Sequence, residues 1–239
     1  HGTQILDPAR RCQPTSYYTP NTPFGQVFAT EQSQGRALNI GTVGLGTGTV
    51  AAFVRPGDRL TFFEIDPLVV KLASDPAKFS YVNGCAQGPV TMVLGDARLQ
   101  LDKAPDASFD FLLVDAFSSD AVPTHLLTVE AMRTYLRVVK PGGVVALHLS
   151  NRNLALIEPA AAAVRAAGGT PLDQLFHSPK QDTYAESSSH VLIAARDPAA
   201  LAPYLATGKW EVPAQGRPWT DDYTNIVGAI LARMKENSE

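Results

Sequence analysis

The chain has only two cysteines, Cys12 and Cys85, and no Cys-x-x-Cys pair. A zinc ribbon and a disulfide framework are therefore not expected, and each thiol reads as a small buried hydrophobe or a surface group. Basic excess is also missing, with 20 Lys and Arg against 23 Asp and Glu for a formal charge of −3. The charges are scattered, so an electrostatic footprint for nucleic acid is not expected. No run of 18 apolar residues occurs, which excludes a transmembrane helix within this sequence. Repeats, low-complexity segments and a signal-peptide pattern are likewise not seen. His1-Gly2-Thr3-Gln4 lacks an initiator Met and enters a strand-like segment at once, so the chain reads as the ordered part of something longer.

What is present is a glycine loop between apolar elements. Ala37 to Val43 reads as a buried strand and empties into Gly44-Leu45-Gly46-Thr47-Gly48. Val50 to Val54 then resumes as a helix. A second apolar strand ends in Glu64, about 20 positions past the glycines. Glycines let the backbone turn sharply and approach a ligand, and a helix start offers unpaired N–H groups. A carboxylate at the second strand end can take both hydroxyls of a ribose. Together these features predict a nucleoside site in an α/β fold. The glycine run alone would be only a tight strand–helix turn.

At 239 residues the chain fits one domain plus an appendage. Residues 1–35 hold short extended stretches separated by prolines and predict a β-hairpin lobe with a gate loop. Residues 36–239 alternate strand and helix, predicting a Rossmann-like, doubly wound, mostly parallel sheet. Strands are expected near 37–43, 60–65, 90–94, 109–115, 143–149 and 190–196. Helices are expected near 48–54, 67–74, 124–139, 153–167 and 221–235. The segments 170–176 and 190–195 suit an antiparallel hairpin at the sheet edge.

Ligands of such sheets lie at the carboxyl ends of the strands. Three successive strands deliver acids there. Glu64 is placed for a ribose diol and Asp96, followed by Ala97, for the exocyclic amine of adenine. Asp96 also suits an N-cap, as does Asp66 before Pro67, and Thr220-Asp221-Asp222 reads as an N-cap with acids in the first helical turn. Asp115 ends the apolar strand Phe109 to Val114, where a carboxylate is costly without a purpose or a partner. Asp120 lies in a Ser-rich loop that equally suits a solvated turn acid. His125 and His148 read as packed or surface histidines, and no spacing argues for a Ser/His/Asp triad. Tyr17, Tyr18 and Tyr184 could wall a sulfonium or ammonium ligand.

Several motifs recur in a known order. They are His1-Gly2-Thr3-Gln4, Pro14-Thr15-Ser16-Tyr17-Tyr18, the glycine loop, Glu64-Ile65-Asp66-Pro67, Gly95-Asp96-Ala97 and Asp115-Ala116-Phe117-Ser118-Ser119-Asp120. Over roughly residues 1 to 230 they resemble the spermidine synthase-like polyamine aminopropyltransferases. The resemblance extends to the subgroup whose catalytic domain is fused to multi-pass membrane segments, through His125-Leu126-Leu127-Thr128 and His148-Leu149-Ser150-Asn151-Arg152. It implies a class I methyltransferase-like domain with an N-terminal β lobe. Its co-substrate would be S-adenosylmethionine or the decarboxylated form, with methylthioadenosine released and no metal or tightly bound cofactor. Gln4 falls where the family contacts the nucleoside, with Gly44, Gly46, Thr47 and Gly48 in the loop. Asp115 falls on the acid that deprotonates the attacking amine, and Tyr17 and Tyr184 on the tyrosines flanking the acceptor pocket. Membrane segments ahead of the fragment, a homodimer and a soluble domain on the cytoplasmic side belong to the same set of expectations.

Two positions depart from the family. Thr47 stands where spermidine synthases carry the aspartate that holds the donor ammonium, and a hydroxyl at a helix start suits an anion better. Asp120 lies two residues beyond the family's Asp-x-x-Asp spacing. The expected reaction is displacement of methylthioadenosine by attack at the three-carbon arm, by an acceptor amine or within the donor. The alternatives are an S-adenosylmethionine-dependent methyltransferase and a non-catalytic nucleoside-sensing domain of a membrane protein.

Overall fold

A computed structural model describes residues 2–116, 123–179 and 185–236. Seven strands form one sheet: β1 (Asn39–Val43), β2 (Arg59–Glu64), β3 (Val90–Leu94), β4 (Phe109–Val114), β5 (Val139–His148), β6 (Thr170–Phe176) and β7 (Ser189–Ala195). Their order is β3-β2-β1-β4-β5-β7-β6. The first five are parallel, while β7 runs antiparallel to both β5 and β6. The expected edge hairpin is thus β6–β7. This is a Rossmann-like fold, as the strand and helix alternation predicts, in the class I methyltransferase form that the family resemblance implies.

The central strand shows why. All six residues of β4, Phe-Asp-Phe-Leu-Leu-Val, are buried, as a parallel strand covered on both faces requires. Its period of two divides the core. Leu112 and Val114 join the layer under α3 (Ala97–Lys103), α4 (Val129–Val138) and α5 (Ile157–Ala166). Phe111 and Leu113 join the opposite layer with Ile40, Phe62 and α1 (Pro23–Ser33). The remaining helices are α2 (Pro67–Ala73), α6 (Ala202–Leu205) and α7 (Ile226–Glu236). Among the described residues, no helix is long and apolar enough to cross a membrane.

Three expectations are corrected. The first is the β-hairpin lobe: no strand forms among the described residues before Arg36. Thr22 caps α1 by accepting from the Gly25 amide, and Pro23 occupies the first turn. Phe24, Val27 and Phe28 then recur at helical spacing and are fully buried. The second is the helix after the glycine loop, which is only a five-residue 3-10 turn, Thr49–Phe53. The third concerns the cysteines. Cys12 and Cys85 form a disulfide that ties the N-terminal segment to the π-helical turn Tyr81–Cys85.

Candidate active site

The strand ends build one cavity. At the end of β1 the chain turns through Gly44, whose φ is +92°. A Cβ there would lie 2.3 Å from the Asp115 carbonyl oxygen, so only glycine lets the ends of β1 and β4 approach this closely. The Gly44 amide donates to the Phe63 carbonyl, and the Asp115 amide to the Val43 carbonyl, each at 2.9 Å. The β1, β2 and β4 ends are thereby fixed relative to one another.

Glu64 closes β2 and is 8% exposed. Its Oε2 accepts the Leu45 amide and its Oε1 the Asp66 amide, both at 2.9 Å. The carboxylate is clamped to the glycine loop, and two amides still leave it unused lone pairs. Asp96 closes the next turn. Its Oδ1 caps α3 by accepting from the Leu99 amide at 3.0 Å, and its Oδ2 lies 3.5 Å from His125 Nε2. The capping and binding readings of Asp96 are compatible, because Asp96 also lines the cavity.

Asp115 follows β4, beside Gly44 of the glycine loop. Its Oδ2 accepts hydrogen bonds from the hydroxyls of Tyr17 at 3.1 Å and Tyr18 at 2.5 Å. Its Oδ1 lies 2.8 Å from His148 Nδ1. Burial pushes the Asp115 carboxyl up, but the charge of His148 and the hydrogen bonds from His148, Tyr18 and Tyr17 outweigh it. The group is held below its ordinary value. Burial, reinforced by the Asp115 charge, raises both phenols well above theirs. The two tyrosines come from a 3-10 turn, Ser16–Tyr18, whose Ser16 has a φ of +58°. Ser16 Oγ pairs with Ser187 Oγ at 3.1 Å, and Thr19 donates to Glu186 at 3.1 Å. The turn is therefore bound to the segment ahead of β7.

The cavity has a volume of ≈ 330 Å³. Its lining brings together Gly44, Gly46, Thr47, Glu64, Asp96, Ala97, Tyr17 and Asp115 from among the candidate residues of the sequence. Phe63, Ile65, Val69, Pro123 and Leu126 add apolar walls. Gly48 is not in the lining; it caps the 3-10 turn in the left-handed region. Gln4 is not there either. Its amide donates to the Arg11 carbonyl and Ser80 Oγ and accepts from the Ser80 amide, so it fastens the N-terminal segment. Thr47 is only 7% exposed, shares a hydrogen bond with Thr49 and packs against Gly2. Asp120 and Tyr184 lie outside the described residues. Asp221, expected as a helix cap, instead forms a two-pronged ion pair with Arg98. Among the described residues, no group of three or more His, Cys, Asp or Glu side chains could hold a metal.

Sequence reasoning missed the partners of Asp115. In the sequence Tyr18 reads only as a wall, and His148 as a packed or surface histidine. Strand register was the available signal. Val114 pairs with Leu147, so the next residues, Asp115 and His148, leave adjacent strands side by side.

Comparison with known proteins agrees with this fold. A family model described as a methyltransferase domain matches residues 42–147. A curated polyamine aminopropyltransferase of Vibrio vulnificus is 31% identical over 108 residues, which is 43% of this chain and 34% of that protein. The chain thus spans about a third of that relative's length. A probable spermidine synthase from Corynebacterium glutamicum superposes with a TM-score of 0.55 at 18% identity, covering 71% of this chain and 61% of its own. Spermidine synthase from Thermotoga maritima gives a TM-score of 0.50 at 13% identity, covering 89% and 75%. These identities speak for the fold. The protein has a methyltransferase-type Rossmann-like domain with a carboxylate-rimmed cavity at the carboxyl ends of its parallel strands.

Proposed function

We propose that this cavity takes a sulfonium nucleoside, S-adenosylmethionine or its decarboxylated form, and that methylthioadenosine is displaced by attack at the three-carbon arm. One observation carries the reading. Glu64, Asp96 and Asp115 converge on one cavity, with no Lys or Arg among its described lining residues. Such a rim attracts a cation, and the Tyr17 face gives a sulfonium a further favourable neighbour. Glu64 would take the ribose hydroxyls and Asp96 the adenine amine. Asp115 would meet the reacting end. There a nucleophilic nitrogen forms the new C–N bond as the C–S bond breaks, the sulfur keeps the electron pair, and Asp115 receives or anchors the amine proton. The nucleophile is an acceptor amine or a group of the donor itself. Proximity supplies much of the rate, because a sulfonium is already a good leaving group. Residues 1–35 would act as the gate over this cavity.

The same three acids bear on the donor. The expected preference of Thr47 for an anion, which among these donors only intact S-adenosylmethionine supplies as its carboxylate, depends on a helix start. That start is a five-residue 3-10 turn, which carries little dipole. The rim therefore favours the more cationic, decarboxylated donor.

The disulfide bears on where the domain works. Disulfides persist in oxidising compartments and are rare in the cytosol. The Cys12–Cys85 bond supports an oxidising compartment over the cytoplasmic side.

The methyltransferase reading is favoured by the domain match over residues 42–147. Mass spectrometry of the nucleoside released from each donor separates the two. Methylthioadenosine is expected; S-adenosylhomocysteine would transfer the assignment to methyl transfer.

A further inference from the structure

The described side chains form a partly buried chain, Asp115–His148–Ser150, with His148 buried at its centre. His148 Nδ1 lies 2.8 Å from Asp115 Oδ1, and Nε2 lies 2.8 Å from Ser150 Oγ. Ser150 Oγ also accepts the His190 amide at 2.8 Å, which anchors it to β7. The Tyr17 ring lies 4.2 Å from the imidazole, centre to centre, and Phe24 meets it edge-on at 5.7 Å. A carboxylate, a hydroxyl and two aromatic rings thus fix the ring. The same three residue types in this order serve hydrolases, but here Asp115 alone of the three lines the cavity. The chain therefore acts on whatever Asp115 meets.

We propose that His148 is a positioning residue for reaction at Asp115, with Ser150 fixing its ring. The inference rests on the reading of Asp115 as the reacting carboxylate. Among the described residues, the groups bonded to the Asp115 carboxylate are Tyr17 and Tyr18 from the 3-10 turn and His148 from β5, with Gly44 of the glycine loop packed against its backbone. Of these only His148 can carry a positive charge. A buried carboxylate facing neutral donors alone would hold its proton more tightly. His148 keeps it ionised and ready to accept a proton. Because His148 occupies Oδ1 and the phenols occupy Oδ2, the plane of the carboxylate is also fixed.

Three variants test this: His148→Phe, His148→Asn and Ser150→Ala. Two quantities are read in each, the infrared carboxylate band of Asp115 against pH, assigned by its loss in Asp115→Asn, and the split between donor affinity and kcat. In His148→Phe the band should titrate at least about one pH unit higher. Its kcat should fall on the order of 10²-fold, with donor affinity changed less than about threefold. His148→Asn keeps a donor near Oδ1 without the charge and should recover part of the rate. Ser150→Ala should lie between His148→Asn and wild type. If His148→Phe does not fold, the other two variants carry the same comparison. An unchanged Asp115 titration in the folded variants overturns the proposal. A wild-type protein that binds donors without turnover would defeat the reading of Asp115 as the reacting group. The infrared titration would still decide whether His148 governs its ionisation.

Discussion

The two ends of the cavity are built differently. At the proposed nucleoside end, Gly44 to Thr47, Glu64 and Asp96 follow three successive strands within about 50 residues of sequence, with both carboxylates held by backbone amides. At the reacting end, Asp115 is enclosed by Tyr17, Tyr18 and His148, drawn from the N-terminal turn and from β5. The first end offers unfilled lone pairs to a ligand; at the second, protein groups take most of the carboxylate's lone pairs and set its ionisation, while it still lines the cavity. Binding and reaction should therefore fail separately, which makes the comparison breakable by single substitutions.

The largest effect is expected at the reacting end. Asp115→Asn should lower turnover by about 10²–10⁴ while leaving nucleoside affinity nearly intact, if the carboxylate acts in the reaction as proposed. Single-turnover rates check this, and an unchanged rate removes Asp115 from the chemistry. Since its carboxyl lies below the ordinary value, the stability it contributes is complete above the unfolded-state value. That contribution is lost only as pH falls through the lower, folded-state value.

The disulfide comes next. It closes 73 residues of separation, and cutting such a loop should cost on the order of 4 kcal/mol. The double variant Cys12→Ser, Cys85→Ser should melt well below wild type by calorimetry. The Gln4 and Tyr81 bonds that hold the same N-terminal segment should loosen with it, raising amide exchange there. Equal melting temperatures would show that the bond does not hold this wall.

The smallest effect sharpens the donor choice. Competition binding should favour the decarboxylated donor over intact S-adenosylmethionine, by about tenfold if one further charge contact is shielded from water. Thr47→Asp should widen the gap. A wild-type preference for the intact donor would return the glycine loop to an anion-binding role.

Legibility in the sequence follows the same division. The parallel strands were readable because each is a short apolar run bounded by turn residues, and β4 is buried on both faces. That Glu64, Asp96 and Asp115 share one cavity is legible because all three lie at the ends of parallel strands. The N-terminal helix was not, since four prolines obscured the Phe24, Val27 and Phe28 spacing. The disulfide was not, because its partners meet only after the Tyr81–Cys85 turn packs beside the N-terminal segment. Gln4 was assigned to the ligand by position in a motif, whereas its amide is satisfied by Ser80 and Arg11. His148 needed strand register, which emerges only when β4 and β5 pair.

The most direct measurement is a calorimetric titration of methylthioadenosine into wild type, Glu64→Gln and Asp115→Asn. Wild type should bind one equivalent. Glu64→Gln should bind roughly ten- to a hundredfold more weakly, the cost of a charge-assisted contact, and Asp115→Asn should match wild type. Equal affinity in wild type and Glu64→Gln, or no binding at all, would contradict a nucleoside cavity with separable binding and reacting ends.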